Sequence, residues 1–168
     1  MRFSATGSAV DYQEAMRLTS DALKEVPHGD PRRGILLANL SSLVSSTFER
    51  TGFWRDIEES IRLVRLALES VPHDFDQRGA LLHNRAMLLF SRYQCTKDMD
   101  DFQESIRYSS EALQVTTYEN ARRHVFVQAY LEHLKLMFDA TGSVIDLEHA
   151  LAELSKVQQE FPTIIHAC

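Results

Sequence analysis

The chain has 168 residues, of which 44% are hydrophobic and 25% are charged, and its formal net charge is −6. This is the composition of an ordinary globular domain, and it excludes a chain that is disordered over most of its length. The acidic excess argues against binding to nucleic acid or to an anionic membrane, because both require clustered Lys and Arg.

Two cysteines are too few for a disulfide framework, and no apolar run reaches the roughly 20 residues that span a membrane. We therefore expect a cytoplasmic protein. The 6 glycines and 4 prolines leave few turn residues, which favours long helices over strands.

The chain matches itself at an offset of 45 residues without any insertion. The best local match pairs residues 56–62 with residues 101–107, where five of seven positions are identical. Four columns of the alignment hold similar residues: Phe3, Phe48, Tyr93 and Phe138; Gly7, Gly52, Lys97 and Gly142; Asp11, Asp56, Asp101 and Asp146; Pro27, Pro72, Thr117 and Pro162. A fixed period of this length predicts a repeat architecture.

Each period contains two helical patterns, because apolar residues recur at spacings of three and four, and no stretch alternates long enough for a strand. The sequence therefore predicts an all-α fold of about seven helices. In chain order they cover residues 10–26, 31–50, 55–71, 75–95, 100–116, 119–140 and 145–161.

Polar residues mark the predicted helix ends. Asp56 and Glu59 form a capping-box pattern that recurs 45 residues before and after, which places each aspartate at a helix N-cap. Gly52 and Gly142 are expected to close two helices. Lys97 stands at the equivalent position of the third copy, and Thr117 replaces its proline, which predicts a less regular third boundary.

Two arginine columns are expected to pair with carboxylates of neighbouring helices. They consist of Arg17, Arg62 and Arg107, and of Arg33, Arg78 and Arg123.

The spacing of small residues identifies a known kind of helical repeat. In the capped helix a small residue is followed by a packing residue, a second small residue and a proline, as in Ser60, Val64, Ala67 and Pro72. This pattern resembles the second helix of the tetratricopeptide repeat (TPR), and Asn39-Leu40 and Asn84-Arg85 resemble the Asn-Leu of its first helix. The resemblance covers nearly the whole chain.

The TPR resemblance implies a right-handed α-solenoid of antiparallel helix hairpins. The domain would span residues 1–168, with an orphan second helix at 10–26 and hairpins at 31–71, 75–116 and 119–161. The period is 11 residues longer than that of a standard repeat, and this long form is similar to repeats of multi-repeat fungal proteins, often next to CHAT-type or nucleotide-binding domains. HEAT-type repeats share the length but do not predict the small-residue spacing.

Neither end of the predicted array has a polar capping repeat. Two interpretations follow. The chain is a piece of a longer array, or its ends stack on another copy of the chain or on a partner.

The resemblance also implies that the first helices line a concave groove, which binds a segment of a partner protein or peptide. Met87 and Phe90 would form its apolar centre. The alternative is a solvated inner face with no dedicated ligand. The candidate groove residues are Ser42, Ser45, Glu49, His83, Met87, Phe90, Gln94, Gln128, Glu132, Lys135 and Asp139.

Phe53 and Trp54 lie in the widened loop of residues 51–56, where the other copies have no aromatic pair. The two rings either tuck over the start of the next helix or form an exposed hot spot for a partner.

The sequence contains no pattern that predicts catalysis, a metal or a cofactor. His124 and His133 are nine residues apart and face opposite sides of a helix, and no glycine-rich phosphate loop is present. We therefore expect an interaction module rather than an enzyme. The alternatives are a self-associating or regulatory fragment of a larger protein and, more remotely, an enzyme or small-molecule binder that uses the curved cavity.

Overall fold

The computed structural model describes residues 9–117 and 119–142, together with Glu148, Ala152 and Ser155. These residues contain six α-helices and no strand, so the all-α prediction is confirmed. Of the seventh predicted helix, at 145–161, the structure describes Glu148, Ala152 and Ser155, which are helical, and the other residues lie outside the described part of the chain. The helices are α1 (Ala9–Glu25), α2 (Pro31–Thr51), α3 (Trp54–Glu69), α4 (Arg78–Thr96), α5 (Met99–Val115) and α6 (Arg123–Thr141).

Helices α4 and α6 begin three and four residues later than predicted, because the residues before them form a turn. The Arg78 amide donates to the Phe75 carbonyl at 2.8 Å, and the Arg123 amide donates to the Asn120 carbonyl at 2.9 Å. The same bond joins the amide of Arg33 to the carbonyl three residues before it, at 2.9 Å. The sequence repeat therefore has a counterpart in the backbone of three loops.

Each helix packs mainly on the helices next to it in the chain, and the α2–α3 and α4–α5 pairs are the most extensive. Leu37, Ala67, Leu82 and Ala112 are among the buried residues of one core that runs along the array. Gly79 permits the close approach of α4 to the end of α5, since an added Cβ would lie 2.0 Å from Thr116 Oγ1. Packing of this kind leaves one face of each helix free.

The guanidinium groups of one arginine column cap the preceding helix. Arg123 is buried, and its Nη1 donates to the Leu113 carbonyl at 2.5 Å and to the Thr116 carbonyl. Arg33 and Arg78 repeat this contact at the ends of α1 and α3. Their bonds run from Arg33 Nη1 to the Leu23 and Val26 carbonyls at 2.8 and 3.1 Å, and from Arg78 Nη1 to the Leu68 carbonyl at 3.3 Å.

Among the described residues, this column therefore bonds backbone carbonyls where carboxylates were predicted. The last turn of a helix presents carbonyl groups without intrahelical partners, at the negative end of the helix dipole. A guanidinium group satisfies both features, and each of these arginines lies beside such a helix end.

The second arginine column pairs with carboxylates, but within its own helix rather than with a neighbouring helix. Arg62 bonds Glu59 at 2.6 Å and Arg107 bonds Glu104 at 3.1 Å. Arg17 bonds Asp21 at 3.3 Å. These pairs lie on exposed surfaces, where residues three or four positions apart are the nearest partners.

Three helices end on a residue in the left-handed region, including the one without glycine. Gly52, Lys97 and Gly142 have φ values of 69, 61 and 62°, and their amides donate to the carbonyls four residues earlier at 2.7, 2.7 and 2.8 Å. The Asn120 amide likewise bonds the Thr117 carbonyl at 3.2 Å, so this turn forms with threonine at the position that proline occupies in the other copies. The third boundary differs from the second at the helix end, because Thr116 at the end of α5 is extended, whereas Ser70 at the end of α3 is helical.

The predicted capping boxes are also wrong at α3 and α5. Both helices begin earlier than predicted, which moves Asp56 and Asp101 into the first turn. Phe53 is the N-cap residue of α3 and makes no side-chain cap, whereas Asp98 caps α5 by accepting from the Asp100 amide at 3.0 Å. The corresponding residue of α1, Asp11, likewise lies in the first turn.

Arg92 joins three helices. From α4 it reaches Glu58 on α3 at 3.0 Å and the buried carboxylate of Asp101 on α5 at 2.5 Å. The hydrogen bond to Asp101 raises the pKa of the guanidinium despite its burial, and the bond to Glu58 adds to this shift. The Arg92 contacts hold the α2–α3 hairpin against the α4–α5 hairpin.

Replacing Arg123 by methionine should lower the free energy of unfolding by about 2 kcal/mol, because the change leaves the Leu113 and Thr116 carbonyls at the end of α5 without their donor. The matched control is Arg122→Met, because Arg122 is the next residue in the chain and its side chain is exposed. Urea unfolding followed by circular dichroism measures both. Equal stability of the two variants would contradict the capping role.

Replacing Lys97 by glycine should raise the free energy of unfolding by roughly 1 kcal/mol, because glycine adopts the left-handed region without steric cost. The same substitution at the exposed Lys135, in the middle of α6, should lower it by about 1 kcal/mol. Thermal unfolding of the two variants checks the opposite signs, and a loss of stability at both positions would refute the prediction.

Candidate functional site

The candidate groove residues lie on α2, α4 and α6, and most of them face solvent. Three of them, Ser45, His83 and Phe90, are half-buried. The exposed residues are Ser42, Glu49, Met87, Gln94, Gln128, Glu132, Lys135 and Asp139. We call the surface formed by these helices the first-helix face.

Aromatic contacts hold α4 against α6 at this face. The His83 ring stacks on Phe126 with centroids 4.6 Å apart, and the Phe90 ring lies 4.4 Å from that of His133. Met87 lies between His83 and Phe90 along the same side of α4, because residues three and four apart share a helix face. Its side chain is 39% exposed.

Phe90 belongs to the core as much as to the surface. Besides His133 it contacts Phe102 and Tyr93, at centroid distances of 5.6 and 6.0 Å. Phe102 is fully buried. The sequence assigned Phe90 to ligand contact alone, whereas the structure shows that it joins α4, α5 and α6.

His133 is a functional candidate that the sequence did not identify. It is 2% exposed, and its Nδ1 lies 3.3 Å from Ser109 Oγ on α5. Burial lowers the pKa of His133 to about 4, and repulsion from a charged His83 adds to this shift. No pattern in the sequence distinguishes His133 from the other histidines of the chain.

His83 is buried in a similar way but less deeply. Burial lowers the pKa of its imidazole. Its Nδ1 atom is shielded from solvent and has no hydrogen-bond partner. Both histidines are therefore held in an environment that favours the neutral ring.

The Ser109–His133 contact pairs a hydroxyl with an imidazole, as a nucleophile and its base are paired in some enzymes, but it is not accessible to a substrate. Ser109 is 1% exposed, so no substrate can reach its hydroxyl without opening the core. The contact satisfies two buried polar groups, as the packing of α5 on α6 requires.

A small pocket of about 200 Å³ adjoins the face between the start of α4 and the start of α6. Phe126, which stacks on His83, forms part of its wall. The other lining residues are Asp76, Gln77, Ala80, Asn120 and Arg122. The pocket combines an aromatic wall with amide and charged groups at its rim.

The loop aromatics Phe53 and Trp54 are 67% and 43% exposed. Phe53 precedes α3 as its N-cap residue, and Trp54 is the first residue of the helix. Both rings present a large part of their surface to solvent, and their role as a partner hot spot remains a prediction.

Two searches of the described ranges add no further site. Within them no group of three or more His, Cys, Asp and Glu side chains could hold a metal ion. None of their helices combines the length and apolarity needed to cross a membrane.

Comparison with protein-family models gives no match. Comparisons with curated proteins and with solved structures also give no significant match. A proposed function must therefore come from the residues of this chain.

Phe90→Ala should lower the free energy of unfolding by about 2 kcal/mol or more, because it leaves a cavity beside Phe102 and His133. Met87→Ala should change the free energy of unfolding by less than about 1 kcal/mol, since Met87 is exposed. Chemical unfolding distinguishes the two positions. An unchanged free energy of unfolding in Phe90→Ala would show that the ring contacts of Phe90 contribute little to stability.

Proposed function

We propose that the chain is a TPR-like right-handed α-solenoid, located in the cytoplasm, that binds a segment of a partner protein along the first-helix face. The observation that carries this proposal is the exposure of Met87 between two rings, His83 and Phe90, that are already packed against α6. The methionine is thus an apolar side chain held in place by its neighbours and left open to solvent.

Repeated backbone contacts support the solenoid interpretation. Three loops share one turn geometry, and three arginines cap the helices before them. Identical joints between successive hairpins align the free sides of their first helices, which gives repeat proteins an extended binding surface.

The chemistry of the face suggests the kind of segment that it would bind. Methionine adapts its shape to varied apolar side chains. The exposed face of α6 carries Glu132, Lys135 and Asp139, two acidic groups and one basic group. A partner segment with one apolar anchor and a net positive charge would therefore be complementary.

Met87→Glu should abolish capture of a stoichiometric partner by the tagged chain from a native lysate, because it places a charge at the apolar anchor site. Val115→Glu is the matched control, since this residue of α5 is similarly exposed, at 43% against 39%. Circular dichroism verifies that both variants are folded. Retention of the partner by Met87→Glu would exclude this site.

A second candidate function, self-association, rests on α1. Leu18 is 53% exposed, whereas the equivalent residues of α3 and α5, Leu63 and Tyr108, are 3% and 9% exposed. The α1 surface that corresponds to a buried hairpin interface is thus open. Leu18 is an exposed apolar residue at a position that the other copies bury, and we infer that it marks an association site.

Leu18→Glu should abolish concentration-dependent association in sedimentation equilibrium, because a charge in an apolar interface is costly to bury. Met87→Glu serves as the control for self-association and should leave it unchanged. A wild-type chain that stays monomeric at high concentration would rule out this second function.

A further inference from the structure

The contact between α4 and α6 depends on two imidazole rings in their neutral form. His83 stacks on Phe126 from α4, and His133 stacks on Phe90 from α6. In the described part of the chain, the contacts that hold these two rings include no carboxylate. A positive charge on either ring would enter an aromatic environment without a compensating anion.

The groups that face His133 come from two helices. From α4 they are His83, whose charge repels that of His133, and the ring of Phe90. From α5 they are Ser109 Oγ, at 3.3 Å, and the edge of Phe102, at 6.4 Å. The hydroxyl oxygen of Ser109 can accept a hydrogen bond from a charged imidazole but carries no charge to balance it.

The remaining contacts determine which part of the fold opens when the imidazole rings become charged. Helix α6 packs on α5 about as extensively as α4 packs on α3. Arg123 bonds α6 to the end of α5, and Arg92 ties the α4–α5 hairpin to α3. Arg92 uses guanidinium–carboxylate bonds, which stay intact in the pH range where an imidazole becomes charged. The contact that changes in mild acid is therefore the one between α4 and α6, which carries both imidazole rings.

We propose that α6 is an acid-released latch, in which protonation of the His83–His133 pair releases α6 from α4, while α6 stays joined to the end of α5 through Arg123 and the α2–α5 helices remain packed. Release separates Phe90 from His133 and widens the first-helix face beside Met87. This inference does not depend on the identity of any partner.

The expected size of the effect follows from linkage. A histidine whose pKa is about 4 when packed and about 6.5 when released binds protons more strongly after release. The released state is then favoured as the pH falls below about 6.5, and the packed state recovers as the pH rises above it. For His133 alone, the opening equilibrium should increase about 30-fold between pH 7.5 and pH 5.

Hydrogen–deuterium exchange at pH 7.5 and pH 5, corrected for the intrinsic exchange rates, tests the latch on the full chain. We expect opening of residues 123–141 to increase about 30-fold and that of α2 and α3 to change less than about 3-fold. An equal increase in all helices would indicate global unfolding and overturn the proposal, as would no increase in α6.

The variant His133→Gln removes the deeper titrating group and keeps a side chain that can bond Ser109. It should abolish most of the acid-dependent increase in α6, whereas His124→Gln, at an exposed histidine of the same helix, should retain it. Retention of the full increase in His133→Gln would refute the role of this ring.

A measurement on the unchanged protein covers the case in which His133→Gln does not fold. Proton NMR of the imidazole C–H signals should show one histidine that titrates far below the exposed ones, in step with the exchange of α6. A set of histidines that all titrate near their ordinary pKa would overturn the proposal.

Discussion

The bond from an arginine to the carbonyls at the end of the preceding helix is the contact on which this arrangement depends. Each of the three copies, Arg33, Arg78 and Arg123, lies in the first turn of one helix, and its guanidinium group bonds carbonyls at the end of the preceding helix. These bonds fix both the distance and the angle between the two helices. A carboxylate partner on a flexible side chain would leave that angle free. Backbone acceptors are fixed in position by the helix, and the same contact recurs at the ends of α1, α3 and α5.

The same regularity explains why side chains on α4 and α6 combine packing with exposure. Successive first helices are brought close enough for His83 to reach Phe126 and for Phe90 to reach His133. Met87 lies between these contacts and is 39% exposed. A recognition surface built in this way is preorganised, because its flanking residues are already ordered before a partner arrives. It is also chemically sensitive, because two of the four rings can take up a proton.

The helices and their glycine ends could be predicted from the sequence, since periodicity and left-handed glycines are local signals. The partners of the arginines could not be predicted. A backbone carbonyl that accepts a bond cannot be recognised in the sequence, whereas a nearby Asp or Glu can. Lys97 shows the same limit: the bond of its amide to the Tyr93 carbonyl outweighs its poor preference for positive φ. The double role of Phe90 and the burial of His133 depend on how α6 meets α4, which is a long-range contact that no local pattern records.

The claim that one face of the array recognises a partner is tested most directly by a photoreactive amino acid placed at position 87, and at position 115 of α5 as a control of equal exposure. Irradiation in a native lysate should give one discrete cross-linked product from position 87 and none from position 115. Cross-linking from position 115 alone, or the same products from both positions, would contradict the account, because recognition would then not be confined to the first-helix face.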